Sequence, residues 1–244
     1  MREPRLYVEC ELQVDSEISL PPQSAHYLAS VLRRKAGQHV QLFNGEGFDY
    51  RASIIAMGKR EVTLLVHSRS EQEAEAAFKI TLVQGISRAQ HMDYTLQKAV
   101  ELGVGRIVPV LTEFSNIQLK DSRGEKKMEH WRKIVISACE QSGRSRLPEL
   151  LPPQPLADWL GTNEGQLGLI LHPGSSENGL STIRLESGAV NLLVGPEGGF
   201  SDEEFELAGA SGYQAISMGP RVLRTETAAV AAISICQSRW GDMG

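Results

Sequence analysis

The apolar positions of this chain change their period about a third of the way along it. Up to residue 70 they fall in short runs rich in β-branched and aromatic residues, at Arg5 to Cys10, His39 to Phe43, Phe48 to Ala56 and Val62 to His67. Runs of that length and composition predict strands. Asn44-Gly45-Glu46-Gly47 supplies residues that accept the positive φ of a hairpin turn. One helix is predicted over Ser24 to Arg34, where Ala25, Leu28, Ala29, Val31 and Leu32 recur at helical spacing. Together these elements describe a small β-barrel with one helix. Glu71 to Ala77 is acidic, alanine-rich and without an apolar face, and the domain boundary is placed there.

Beyond the boundary strands and helices alternate. Ile80 to Ile86 reads as a strand, and Met92, Leu96, Ala99, Val100 and Leu102 mark a helix that Gly103 ends. Arg106 to Leu111 is a strand in which Pro109 suggests an edge or a strand end. Glu125 to Gln141 is a long amphipathic helix, and Leu167 to Leu171 a compact strand before His172-Pro173-Gly174. Val190 to Val194 leads into Gly195-Pro196-Glu197-Gly198-Gly199-Phe200, and Ala215 to Met218 into Gly219-Pro220-Arg221-Val222-Leu223-Arg224. A helix follows each of these loops, at Ser201 to Ser211 and Thr225 to Trp240. Such alternation implies crossovers and a largely parallel sheet.

Bulk properties narrow the class. The chain has 244 residues, 41% of them hydrophobic and 23% charged, which is ordinary for a globular protein with a real core. It has no apolar run long enough to span a membrane and no apolar leader after Met1, so a cytoplasmic protein is expected. Cys10, Cys139 and Cys236 are too far apart to suggest a disulfide framework, and the six histidines show no metal-site spacing. The net charge of −5 is uneven: nine Lys and Arg face eight Asp and Glu through Ser70, against 16 and 22 beyond it. A basic module followed by an acidic one suits recognition of a polyanion by the first part.

Phosphate-loop, zinc-protease, nucleophile-elbow and dinucleotide fingerprints are absent, which disfavours simple hydrolase, kinase and zinc-enzyme readings. The two Gly-Pro loops carry the chemistry instead. Pro196 fixes φ while its glycine neighbours let backbone approach a ligand, and Ser201 with Glu204 forms a capping box for the next helix. By itself that is equally an ordinary strand–turn–helix junction. The second loop interleaves Arg221, Arg224 and Glu226 with Val222 and Leu223, apolar residues that need something to pack against. With Leu171-His172-Pro173, three marked strand ends are then available to converge on one ligand.

Leu193-Val194-Gly195-Pro196-Glu197-Gly198-Gly199-Phe200-Ser201 and Met218-Gly219-Pro220-Arg221-Val222-Leu223-Arg224-Thr225-Glu226-Thr227-Ala228 resemble the SPOUT methyltransferase superfamily, and within it the RsmE family. Gln97 to Val104, Ala138 to Arg144 and Val31-Leu32-Arg33 agree with that resemblance, which covers nearly the whole chain. It implies an α/β fold in which residues 1–72 form a PUA-like RNA-binding barrel and residues 73–244 a trefoil-knotted methyltransferase domain with a mainly parallel sheet. It implies a homodimer without metal that uses S-adenosyl-L-methionine to methylate N3 of a uridine in bacterial 16S ribosomal RNA, with the assembled small subunit as substrate.

By position, the resemblance assigns the cofactor to Leu171, Gly195, Glu197, Gly198, Gly199, Met218, Leu223, Arg224 and Thr225. Arg224 is also the candidate that stabilises the uracil anion, the alternative being a structural salt bridge to Glu197 or Glu226. RNA contacts are assigned to Arg2, Arg5, Arg33, Arg34, Lys35 and Arg144, although Arg33-Arg34-Lys35 would equally serve a helix C-terminus and Arg144 the dimer partner. Two other readings stay open: a SPOUT reaction at a ribose 2′-oxygen or a guanine, and a non-catalytic RNA-binding dimer.

Overall fold

The computed structural model describes residues 3–58, 61–71, 77–115, 122–162, 166–174, 179–180, 183–185 and 187–244. Arg2 and residues 72–76, which hold most of the expected boundary, lie outside the described residues. The chain divides into two compact units, Met1–Glu73 with Cys139–Leu147, and Ala74–Ala138 with Pro148–Gly244.

The first unit is built on β1 (Arg5–Tyr7), β2 (Glu17–Ser19), α1 (Pro22–His26), β3 (His39–Phe43), β4 (Phe48–Met57) and β5 (Val62–Glu71). The strands form one sheet in the order β1-β3-β4-β5-β2. Only β1 and β3 run parallel; the other pairs are antiparallel. Leu6, Val40, Leu42, Ala52, Ile54, Leu64 and Val66 alternate inward onto one core with Ala25 and Leu28. The predicted hairpin lies between β3 and β4, with Gly45 at φ 93° and Gly47 at φ 97°.

Two expectations for this unit need correction. The single helix over Ser24 to Arg34 is instead α1 followed by a π-helical turn, Tyr27–Val31, in which Leu32 N donates to Tyr27 O. The wider turn rotates the apolar face, leaving Leu28 buried but Val31 60% exposed. The first strand stops at Tyr7 rather than Cys10.

Residues 139–147 also belong to this unit, although nothing in their sequence pattern signals it. Tyr7 N donates to Glu140 Oε1 (3.0 Å), Gly47 N to Ser145 O (3.0 Å) and Leu147 N to Gly45 O (3.3 Å). Burial pushes the Glu140 carboxyl up, although the Tyr7 hydrogen bond and the Arg5 charge oppose the shift.

The second unit holds β6 (Lys79–Gly85), α2 (Ala89–Glu101), β7 (Arg106–Leu111), α3 (Ser122–Ser142, whose end belongs to the first unit), β8 (Glu149–Leu150), β9 (Gln154–Pro155) and α4 (Leu156–Leu160). It continues with β10 (Leu167–Leu171), β11 (Ala189–Val194), α5 (Asp202–Ala210), β12 (Tyr213–Ile216) and α6 (Thr225–Trp240). The sheet order is β12-β10-β11-β6-β7-β8, with β9 also on β7, and every pairing is parallel. Val83, Val108, Ile170 and Leu193 meet Leu156, Leu160 and Ala208 in one core cluster. Leu82, Ile107, Leu169 and Leu192, one residue away, are also fully buried. Burial on both faces explains why these strands read as continuous apolar runs rather than alternations.

Pro109 does not mark an edge, because β7 has neighbours on both sides. Gly105 and Ile107 accept hydrogen bonds from Glu149 and Leu151. Alternation turns Pro109 the same way, into the break between β8 and β9, where no N–H is needed. The last strand sits two residues earlier than Ala215 to Met218 suggests, and Gly168 of β10 explains why Tyr213 begins it. A Cβ at Gly168 would lie 2.8 Å from the Tyr213 ring.

Candidate functional site

β10, β11 and β12 are neighbours in the sheet and run the same way, so their C-terminal ends emerge side by side. The loops after them wall a cavity of about 760 Å³. The first contributes Leu171 and His172, the second Gly195 to Phe200, and the third Ser217 to Gly219 with Arg221 to Leu223. Arg224, Thr225 and Glu226, at the start of α6, close one side. All nine residues assigned from sequence to the cofactor therefore line a single cavity.

The walls are fixed by glycines and a small polar network. A Cβ at Gly198 would lie 2.7 Å from Phe114 Cβ, and one at Gly195 3.1 Å from the Gly199 backbone. A side chain at Gly198 would force a shift, and one at Gly195 would need its neighbours to give by a few tenths of an ångström. Gln84, fully buried at the end of β6, donates from Nε2 to Thr225 Oγ1 and Gly85 O, both at 3.0 Å. Thr225 Oγ1 in turn donates to Gly195 O at 2.6 Å. The end of β6, the loop after β11 and the first residue of α6 are thereby tied together. Ser201 and Glu204 make the expected capping box, and Glu204 Oε1 also accepts from Glu113 N at 2.8 Å.

Charge at the cavity follows from what each group is bound to. Glu197 Oε1 accepts from Arg88 N at 2.9 Å and so holds its loop. Glu226 Oε2 lies 3.1 Å from His91 Nδ1. Arg224 is exposed and makes no ion pair among the described residues, so the expected alternative of a salt bridge to Glu197 or Glu226 is not what the structure has. The cavity is open, has apolar surface at Leu171, Met218 and Leu223, and carries unpaired cationic charge beside it. His91 was missed from sequence, since one histidine on a helix more than a hundred residues before Glu226 gives no local signal.

The residues assigned to RNA separate into two groups. Arg33 and Lys35 are exposed after the π-helical turn, with Arg33 at φ 51°, and Arg34 is half-buried. Arg5 and Arg144 are each only 8% exposed. Arg5 pairs with Asp49 at 2.8 Å, donates to Ser145 Oγ and Arg144 O, and stacks 4.9 Å from the Phe43 ring centroid. Its guanidinium is engaged inside the first unit. Arg144 is buried as well. Cys236 is also buried, and its thiol is pushed up to about 12, outside the range of a nucleophile at neutral pH. No group of three metal-ligating side chains comes together among the described residues, and no helix there is long and apolar enough to cross a membrane.

Known proteins match this arrangement along the whole chain. The family described as RNA methyltransferase domain matches residues 74–237, and RNA methyltransferase PUA domain matches residues 20–66. A ribosomal RNA small subunit methyltransferase E of Buchnera aphidicola is 35% identical over 99% of this chain and 98% of its own. The crystal structure of a ribosomal RNA small subunit methyltransferase E from Neisseria gonorrhoeae, bound to S-adenosyl methionine, is 37% identical with a TM-score of 0.92, covering 100% of both chains. A methyltransferase of Legionella pneumophila in complex with SAM is 39% identical with a TM-score of 0.94, over 99% of this chain and 100% of its own.

Proposed function

The chain belongs to the RNA methyltransferase family of the small-subunit methyltransferase E type, and from that premise we propose that it methylates N3 of one uridine in 16S ribosomal RNA. The carrying observation is the cavity where three parallel strand ends meet the start of α6. Its volume, about 760 Å³, suits a ligand the size of S-adenosyl-L-methionine. Glycine at Gly195 and Gly198 lets the loop pack closely on Gly199 and Phe114, and Gly199 takes a φ of 73°, which together give the cavity wall its shape.

The residues present fit that cofactor. Leu171, Met218 and Leu223 offer apolar surface to adenine, and main-chain groups of Gly198, Gly199, Arg224 and Thr225 can read its edges. Glu197 shapes the loop from behind. Bound there, the cofactor supplies a methyl group on a positively charged sulfur. The protein's own work is to orient the uridine, exclude water and handle the imide proton that N3 must lose. Arg224 stabilises the negative charge that then spreads over the uracil carbonyls.

The first unit serves as the RNA-binding part through Arg33, Arg34 and Lys35, and the second carries the chemistry. The working form is a homodimer in the cytoplasm acting on the small ribosomal subunit. Sedimentation of the purified chain tests the dimer. Nucleoside mass spectrometry of 16S RNA from a deletion strain tests the reaction. 3-Methyluridine should vanish and return on complementation. Loss of a ribose-methylated or guanine-methylated residue instead would assign a different SPOUT reaction, and an unchanged spectrum would leave a non-catalytic RNA-binding protein.

A further inference from the structure

Two titratable side chains face the cavity without a part in holding the cofactor. His91 lies in the first turn of α2 and Glu226 in the first turn of α6. His91 Nδ1 is 3.1 Å from Glu226 Oε2, with the carboxylate 14% exposed and the imidazole 31%. Glu226 Oε2 is buried, and among the described residues no donor meets it in full hydrogen-bonding geometry, the Nδ1 beside it included. A buried carboxylate oxygen without a donor is unfavourable, so its position beside an imidazole calls for a reason.

Building on the methyltransferase reading, we propose that His91 accepts the imide proton of the target uracil and that Glu226 is its positioning residue. The proton passes from N3 to Nε2, the ring nitrogen turned away from Glu226. The electron pair of the broken N–H bond stays on N3 as the nucleophile. The imidazolium is neutralised by Glu226 and afterwards gives its proton to water. A carboxylate that fixes the tautomer of an imidazole and then offsets its charge is a recurring device for proton abstraction.

The other charged groups at the cavity fit this role less well. Arg221 and Arg224 carry guanidinium groups, which offer donors and no acceptor for a proton. Glu197 is engaged by Arg88 N, and the side chain of Arg88, on the approach to α2, is exposed. Asp93, further along α2, pairs with His130 at 2.8 Å. His172 stacks on Phe205, their ring centroids 4.4 Å apart. An imidazole ordinarily titrates near neutrality, which suits a general base better than a carboxylate does.

The competing account is a plain tie between α2 and α6. Wild type, His91→Gln and Glu226→Gln distinguish the two in the full-length chain. The measurements are melting temperature, S-adenosylmethionine affinity, single-turnover methylation of 16S RNA across pH, and the ¹⁵N shifts of the His91 ring without ligand. His91→Gln should keep cofactor affinity, lose the acid limb of the pH–rate profile and slow by about a hundredfold, the usual scale of general-base catalysis. Glu226→Gln should slow by about tenfold and redistribute the proton between the two His91 nitrogens, which wild type holds on Nδ1. An unchanged rate and profile in His91→Gln, with wild type making 3-methyluridine, would overturn this inference alone. So would lower stability with full activity per folded molecule, or a His91 tautomer indifferent to Glu226. A wild-type protein that makes no 3-methyluridine would overturn the functional reading and this inference with it.

Discussion

At the scale of single residues, the cavity was the most legible part of the molecule. Gly195, Gly198 and Gly199 stand out because glycine and proline punctuate an apolar run, and the reason is steric at the first two and a φ of 73° at the third. Gly195→Val should abolish detectable cofactor binding in calorimetry while the chain still melts cooperatively, since its Cβ would meet Gly199 at 3.1 Å and Phe200 at 3.2 Å. Arg224 sets a sharper question. With no ion pair to lose, Arg224→Ala should leave the melting temperature unchanged and slow single-turnover methylation by roughly a hundredfold, the loss expected for one strong transition-state donor. Arg224→Lys should recover little, because a point charge does not replace a planar fork. A destabilised but fully active Arg224→Ala would return Arg224 to a structural role. His91 lay beyond sequence because its partner is set by how α2 and α6 pack, and no spacing rule spans that distance.

At the scale of elements, legibility followed length and period. α6 begins and ends where its pattern does, at Thr225 and Trp240, because a sixteen-residue helix with a buried alanine-rich face carries a redundant signal. β2, β8, β9 and α4 have five residues or fewer, and they exist through the partners they pair or pack with rather than through any pattern of their own. The π-helical turn was invisible for a related reason, since apolar spacing of three and four fits an α-helix until tertiary packing widens it. The capping box of α5 was readable and turned out to serve two elements. Ser201→Ala removes one hydrogen bond to Glu204 N and should cost about 1 kcal/mol in urea melts. Glu204→Ala also strands Ser201 N and Glu113 N, so it should cost more. Equal costs would mean that the loop after β7 gains nothing from Glu204.

At the scale of the whole molecule, the change of hydrophobic period marked the passage from a mostly antiparallel sheet to a parallel one, and the strand–helix alternation gave the α/β class. The knot was implied by the family resemblance alone, for no periodicity encodes the threading of a chain. The same holds for residues 139–147, which sit in the middle of the methyltransferase half yet belong to the first unit. Cutting the chain near Ala74 would therefore strip Glu140, Ser145 and Leu147 of Tyr7, Arg5 and Gly45, and RNA binding is better tested by charge in the intact protein.

The exposed pair Arg33 and Lys35 should act through phosphate. Arg33→Glu with Lys35→Glu should weaken 16S RNA binding and lower the slope of log affinity against log salt by about 1–2, with cofactor affinity unchanged. Arg5→Ala should behave differently. It leaves Asp49, 13% exposed, without its cation, and losing one partner of a buried pair costs about 3–5 kcal/mol of stability. Its salt slope per folded molecule should match wild type. If Arg5→Ala instead keeps its stability and lowers the slope, its burial is an arrangement of the free protein that RNA opens. If the double reversal leaves the slope unchanged, the basic end of the helical segment serves only the helix it caps.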